Sequence, residues 1–117
     1  MEKKPTVWVV KEQLVRNAVG STPMDYTPAM AYGEIEFVTQ FDLPQHPKSS
    51  VLEAWARDVQ KFCRDYDPRT DYIVTTGQPT SLFAVGWALG RLGKAPRFLV
   101  WRREENRYQA VNFGVEF

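Results

Sequence analysis

The chain has 117 residues, with 15 Lys and Arg against 14 Asp and Glu, a formal charge of +1. Charge so near balance argues against a general DNA- or RNA-binding surface, which carries a basic excess, and leaves room only for a local basic pocket. A single cysteine, Cys63, excludes an internal disulfide, and one Cys with one His excludes a zinc site of the ordinary Cys/His kind within one chain; no metal and no cofactor are expected.

At 44% hydrophobic and 25% charged, with four Trp, seven Phe and five Tyr, the composition is that of a globular chain with ample area for a core or an interface. Met1–Pro5 runs straight into a strand pattern without the apolar centre of a signal peptide. No apolar run approaches the ~20 residues of a membrane span. The expectation is one cytoplasmic domain over residues 1–117.

In chain order, Thr6 to Val10 is β-branched and apolar and reads as a first strand. Residues 11–21 are ambiguous in pattern; Lys11 to Ala18 could make a short helical turn, ended by Gly20-Ser21. Residues 20–33, punctuated by Gly20, Pro23, Asp25, Pro28 and Gly33, read as a long loop. Glu34 to Thr39 alternates as a strand with one wetter face, and Asp42 to Lys48 is a connection.

Ser50 to Tyr66 carries the clearest helical stripe: Val51, Leu52, Trp55, Val59, Phe62, Cys63 and Tyr66. Ser50 and Glu53 read as its capping box, and Asp67-Pro68 as its stop. Tyr72 to Thr76 is a short buried strand. A second helix starts at Pro79 or Thr80 and runs to Leu92, with Gly93 beyond its end. It is apolar almost all round, which predicts burial on more than one side; Gly86 and Gly90 would admit another backbone. Arg97 to Arg102 and Arg107 to Phe113 read as a hairpin about Glu104-Glu105-Asn106.

The resulting fold class is α/β: a single small Rossmann-like domain with a mostly parallel central sheet, two main helices and a C-terminal β-hairpin. Right-handed crossovers place both helices on one face of strands 34–39, 72–76 and 97–102, with the first and last strands extending the sheet.

Chemistry concentrates in Ile73-Val74-Thr75-Thr76-Gly77-Gln78-Pro79-Thr80-Ser81, a buried strand, a glycine turn and a helix start. Parallel sheets bind ligands outside the carboxyl ends of their strands. A helix N-terminus there offers free N–H groups to an anion. The candidate ligand-binding residues are Thr76, Gly77, Gln78, Thr80 and Ser81. Lys11 and Tyr26 join them, Lys11 on condition that the first strand runs parallel to its neighbours. Ordinary turn chemistry accounts for the same residue types, and neither a Walker loop nor a dinucleotide fingerprint is present.

The remaining polar features read as structural. The tip at 101–107 reads as a solvated turn with local ion pairs, the alternative being an arginine contact to a phosphate or a partner protein. Cys63 is a core residue, and Asp65, Asp67 and Asp71 are helix-end and turn residues. No catalytic residue is assigned; Glu12, Asp25 and His46 are the only acid–base groups a phosphoesterase could use, and none sits in a recognisable motif.

Residues 71–111 resemble a minimal CRISPR-associated Rossmann-fold (CARF) module of the ring-nuclease kind. The resemblance rests on Tyr72-Ile73-Val74-Thr75-Thr76-Gly77-Gln78-Pro79, the apolar helix Phe83 to Leu92, Phe98-Leu99-Val100-Trp101 and Tyr108-Gln109-Ala110-Val111. It implies a dimer that binds a cyclic oligonucleotide across a twofold axis. No residue matches a catalytic histidine, so it implies binding rather than cleavage.

Two functions follow as expectations. One is binding or sequestration of a small phosphate-bearing ligand, a signalling nucleotide, at residues 72–81. The alternative is a non-enzymatic interaction or assembly protein, an accessory of a mobile element or phage. A homodimer is expected, because two helices on one face leave the other face of a parallel sheet bare; the alternative is a monomer in which the first strand and residues 11–33 fold back as the missing layer.

Overall fold

Four short β-branched or aromatic segments that run in one direction, separated by stretches long enough to cross over, dictate a parallel sheet. The structure, a computed structural model, describes residues 4–46 and 48–113. Its strands are β1 (Thr6–Val9), β2 (Leu14–Asn17), β3 (Gly20–Pro23), β4 (Glu34–Phe37), β5 (Tyr72–Val74), β6 (Phe98–Arg102) and β7 (Arg107–Val111). Its helices are α1 (Ser50–Asp65), α2 (Pro79–Arg91) and a 3₁₀ helix at Thr27–Tyr32.

The main sheet has the order β4-β1-β5-β6-β7. β1 pairs parallel with both β4 and β5, β5 pairs parallel with β6, and β7 returns antiparallel on β6. The first strand is therefore an interior strand, second in the order between β4 and β5, not an extension of the edge. The reason lies in its composition: Val7 and Val9 face one side, Thr6 and Trp8 the other, and all four are buried. A strand apolar on both faces belongs inside a parallel sheet.

Lys11 to Ala18 is not helical. Leu14–Asn17 and Gly20–Pro23 form a separate two-stranded hairpin. Leu14, Val15 and the polar residues around them are all exposed, and the turn is fixed by the Asn17 side chain, whose Oδ1 accepts from Val19 N at 3.0 Å. The stretch expected as a loop thus holds this second strand and the 3₁₀ helix, which starts with Pro28 near its head.

The two faces are sealed differently. α1 and α2 pack with Trp8, Val10, Val38 and Ile73 around Trp55, Phe62, Tyr66, Val85 and Leu89. On the opposite face, Tyr26 and Ala29 close over Val7, Val9, Val74 and Leu99, with Met24 and Tyr32 at the margin. One crossover hand explains the division. The chain leaves β1 toward β4 but returns past it to β5 and β6, so the first connection must cover the other face. The face whose bareness motivated a homodimer is covered by residues 24–32.

Helix ends differ in detail from the sequence expectation. The N-cap of α1 is Ser49, whose Oγ accepts from Val51 N at 3.2 Å, so Ser50 and Glu53 form no capping box. The C-terminal carbonyls of α1 are held by Lys94, whose Nζ donates to the oxygens of Cys63 at 2.5 Å and Tyr66 at 2.9 Å. α2 begins with Pro79 and stops at Gly93, whose φ of 69° ends the helix in the left-handed region. It is not buried on several sides: Phe83 is 80% and Trp87 67% exposed, and a Cβ on Gly86 or Gly90 would meet nothing within 4 Å.

Candidate functional site

In a sheet of this order, the connections leave β1 and β5 to opposite sides: that after β1 goes to β4, and that after β5 goes to β6. The crevice between the carboxyl ends of such strands is where open α/β sheets bind ligands. Because β1 is parallel to β5, the residues after each strand share this rim, as the condition on Lys11 required.

The two segments meet through Gln13. Its carboxamide lies 3.4 Å from where a Cβ on Gly77 would stand, and its Nε2 donates to the Lys11 carbonyl at 2.9 Å. Gly77 has φ 132°, a left-handed conformation that leaves glycine the natural occupant. Tyr26 is buried below this contact, and its hydroxyl accepts from the Gln13 amide at 3.1 Å. Tyr26 and Lys11 are therefore brought to the rim, with Tyr26 as a support of its floor. Lys11 Nζ stands 3.4 Å from Asp42 Oδ2, so its charge is already opposed.

Of the candidates on the turn itself, two are engaged in the fold. The Leu43 amide donates to Gln78 Oε1 at 2.8 Å and to Ser81 Oγ at 3.0 Å. Gln78 Nε2 donates back to the Leu43 carbonyl at 3.3 Å, and Ser81 Oγ donates to Gln78 Oε1 at 2.5 Å. The pair grips the 41–43 connection as a neighbouring strand would. Thr80 is exposed. Thr76 differs from all of these: its Oγ1 is buried and has no hydrogen-bond partner among the described residues.

The acid–base candidates are scattered. Glu12 lines a cleft of about 670 Å³ at the carboxyl ends of β1 and β4, with Lys11, Thr39, Gln40 and Asp58. Within it Thr39 Oγ1 donates to Asp58 Oδ2 at 2.9 Å. Asp25 is exposed, and its hydrogen bonds from Thr27 hold its carboxyl below the usual range. His46 is exposed and uses Nδ1 to accept from the Lys48 amide. No group of three or more His, Cys, Asp or Glu side chains among the described residues could hold a metal ion.

Sequence reading missed two features. Asp71, read as a turn residue, is fully buried and accepts from Thr6 N, Trp8 Nε1, Asp67 N and Thr70 Oγ1 at 3.0–3.1 Å. Its isolation between Thr70 and Tyr72, at the mouth of a buried strand, was the available signal. The second is a groove of about 500 Å³ between α1 and α2, with Trp55, Val59 and Cys63 on one wall and Ala84, Trp87 and Ala88 on the other. Cys63 is core, as expected, and burial pushes its thiol up despite the nearby Lys94 ammonium.

A family model described as phage Pam3 gp32-like protein matches residues 5–115, nearly the whole chain. No curated protein and no solved structure matches it. The comparisons thus give a phage connection and nothing for the CARF resemblance. No described helix is long and apolar enough to cross a membrane.

Proposed function

We propose, for a chain that belongs to the phage Pam3 gp32-like family, that it is a phage accessory protein acting by binding another protein rather than by catalysis. The carrying observation is the outward face of α2. Phe83 and Trp87, one helical turn apart, are largely exposed, and Trp87 lines the α1–α2 groove. Large aromatic side chains in a shallow apolar groove are the anchors on which protein interfaces concentrate their binding free energy. The folding core does not need them, because α2 docks through Ser81, Val85 and Leu89.

The test is co-purification of the tagged chain with the other proteins of a phage that encodes it. The expected result is one stoichiometric partner, lost in Phe83→Ser with Trp87→Ser while the melting temperature holds. Recovery of the partner by the doubly substituted chain would overturn the assignment of this face.

A second reading keeps the Rossmann-like expectation: a small phosphate-bearing ligand bound at the switch point by Thr76, Gly77 and Thr80. The unpartnered Thr76 hydroxyl favours it. A thermal-shift panel of cyclic and linear nucleotides tests it. A rise with one nucleotide, lost in Thr76→Val, supports this reading, and no rise with any of them removes it. Gly77→Val is the poorer probe, since φ 132° and the Gln13 contact would strain any side chain there.

A further inference from the structure

Resting on the proposed protein-binding role, the polar edges of the α1–α2 groove specify its partner. The charged residues lining the groove are Arg64 of α1 and Arg91 of α2. Neither has an acidic partner among the described residues. Arg91 stacks its guanidinium 5.0 Å from the Trp87 ring centroid, which spreads the charge along the groove wall and leaves its N–H groups free for planar, two-pronged bonding.

Trp55 also lines the groove. Trp55 is 7% exposed, and its indole N–H is buried without an acceptor among the described residues. A buried donor left unmade costs about 1–3 kcal/mol, and native chains rarely keep one without a reason. The groove thus offers an apolar trough with two guanidinium groups along it. Lys94, the other cation at this end, is taken up by the carbonyls of α1.

We infer that the groove receives a segment of a partner protein that presents an apolar side chain flanked by Asp or Glu. The apolar residue fills the trough against Trp55, Val59, Ala84 and Trp87. The carboxylates bond Arg64 and Arg91. A second copy of this chain is the poorer occupant. Face-to-face pairing of two such grooves would bring four guanidinium groups together, and like charges at an interface disfavour association.

A random 12-residue peptide display library, selected separately on the wild-type chain and on Arg64→Glu with Arg91→Glu, tests this. Trp87→Ser serves as a control for the groove, and circular dichroism confirms that each variant folds. The expected wild-type selection is enriched in Asp and Glu around one large apolar residue, and is weakened at least tenfold by Trp87→Ser. On the charge-reversed chain the preference should change to Lys and Arg. Enriched peptides without acidic bias, or the same peptides on both chains, would overturn the inference while leaving protein binding intact. No enrichment, together with a light-scattering mass of two chains that Trp87→Ser halves, would assign the groove to a second copy. No enrichment with a monomeric mass would remove the inference, and loss of the co-purified partner as well would remove the reading beneath it.

Discussion

Asp71→Ala should be the most destabilising polar substitution in the chain. The Asp71 carboxylate is fully buried; one oxygen accepts from Thr6 N at 3.0 Å and the other from Trp8 Nε1 at 3.1 Å and Asp67 N at 3.0 Å. These bonds tie the start of β1 to the turn that precedes β5. Removing the carboxylate strands the Thr6 and Trp8 donors in a region closed to water, whereas half-buried Asp67 can recruit solvent. At about 1–3 kcal/mol per orphaned donor, and more for lost bonds to a charge, the loss comes to about 3–5 kcal/mol. That is a large part of the ~5–15 kcal/mol holding an ordinary domain, and at ~4 °C per kcal/mol it lowers the melting temperature by ~12–20 °C. Asp71→Asn should also destabilise, because its NH₂ must face the Thr6 N–H in one orientation or those of Trp8 and Asp67 in the other. Urea unfolding with Trp8→Phe completes a double-mutant cycle. Trp8→Phe removes one donor, so it should cost less in the Asp71→Ala background, with a coupling of about 1 kcal/mol or more. Strictly additive losses, or Asp71→Ala within ~1 kcal/mol of wild type, would refute the account.

Four smaller outcomes follow. Thr76→Val replaces an unpartnered buried hydroxyl by a methyl group and should leave stability unchanged or raise it by up to ~1 kcal/mol; a loss above that in urea unfolding would mean the hydroxyl has a partner. Ser81→Ala should cost about 1 kcal/mol and speed hydrogen exchange at the Leu43 amide, which would keep only its bond to Gln78. Burial pushes the Tyr66 and Tyr108 hydroxyls above the ordinary tyrosine range, with Asp71 adding to the effect at Tyr66 and Tyr26 and Asp25 at Tyr108. A raised native value means stability from these groups is complete below the unfolded pKa near ~10 and is lost as pH rises through the native value. Alkaline titration should therefore show two phenols ionising late and together with unfolding. Cys63 should resist thiol reagents in the native chain and react at the rate of unfolding; fast modification without unfolding would contradict its burial.

What could be read from sequence followed the strength of local patterns. Helix α1 was legible because seven apolar residues fall on one stripe, and α2 because proline and glycine bracket it. The hairpin β6–β7 announced itself through its charged turn, where Arg107 and Glu105 now stand 2.6 Å apart. Placement of both helices on one face came from crossover handedness. The order of the strands did not, because nothing local states that the return from β4 passes over β1 to reach β5. The hairpin β2–β3 was missed because nearly all its residues are exposed, so it lacks the buried alternation that marks a strand. At the candidate site, sequence located the turn after β5 but not the use of its residues. Gln78 and Ser81 are bound to Leu43, 35 and 38 positions earlier, a pairing that only the tertiary fold creates.

The outward face of α2 brings these points together. Folding requires of this helix a stripe that meets the sheet and α1, and Ser81, Val85 and Leu89 with Leu82 and Ala88 supply it. Nothing in that requirement calls for Phe83 or Trp87. Aromatic residues are weaker helix formers than Ala, Lys or Glu, and exposed they favour association over solubility. The same helix carries Arg91 against Trp87, across the groove from Arg64. Polar substitutions on the opposite, sheet-facing stripe would cost stability; on this face Phe83→Ser and Trp87→Ser should change it by no more than ~0.5 kcal/mol. Side chains that the fold can lose without penalty, exposed aromatics on a helix whose Arg91 has no acidic partner among the described residues, are accounted for by what they meet outside the chain.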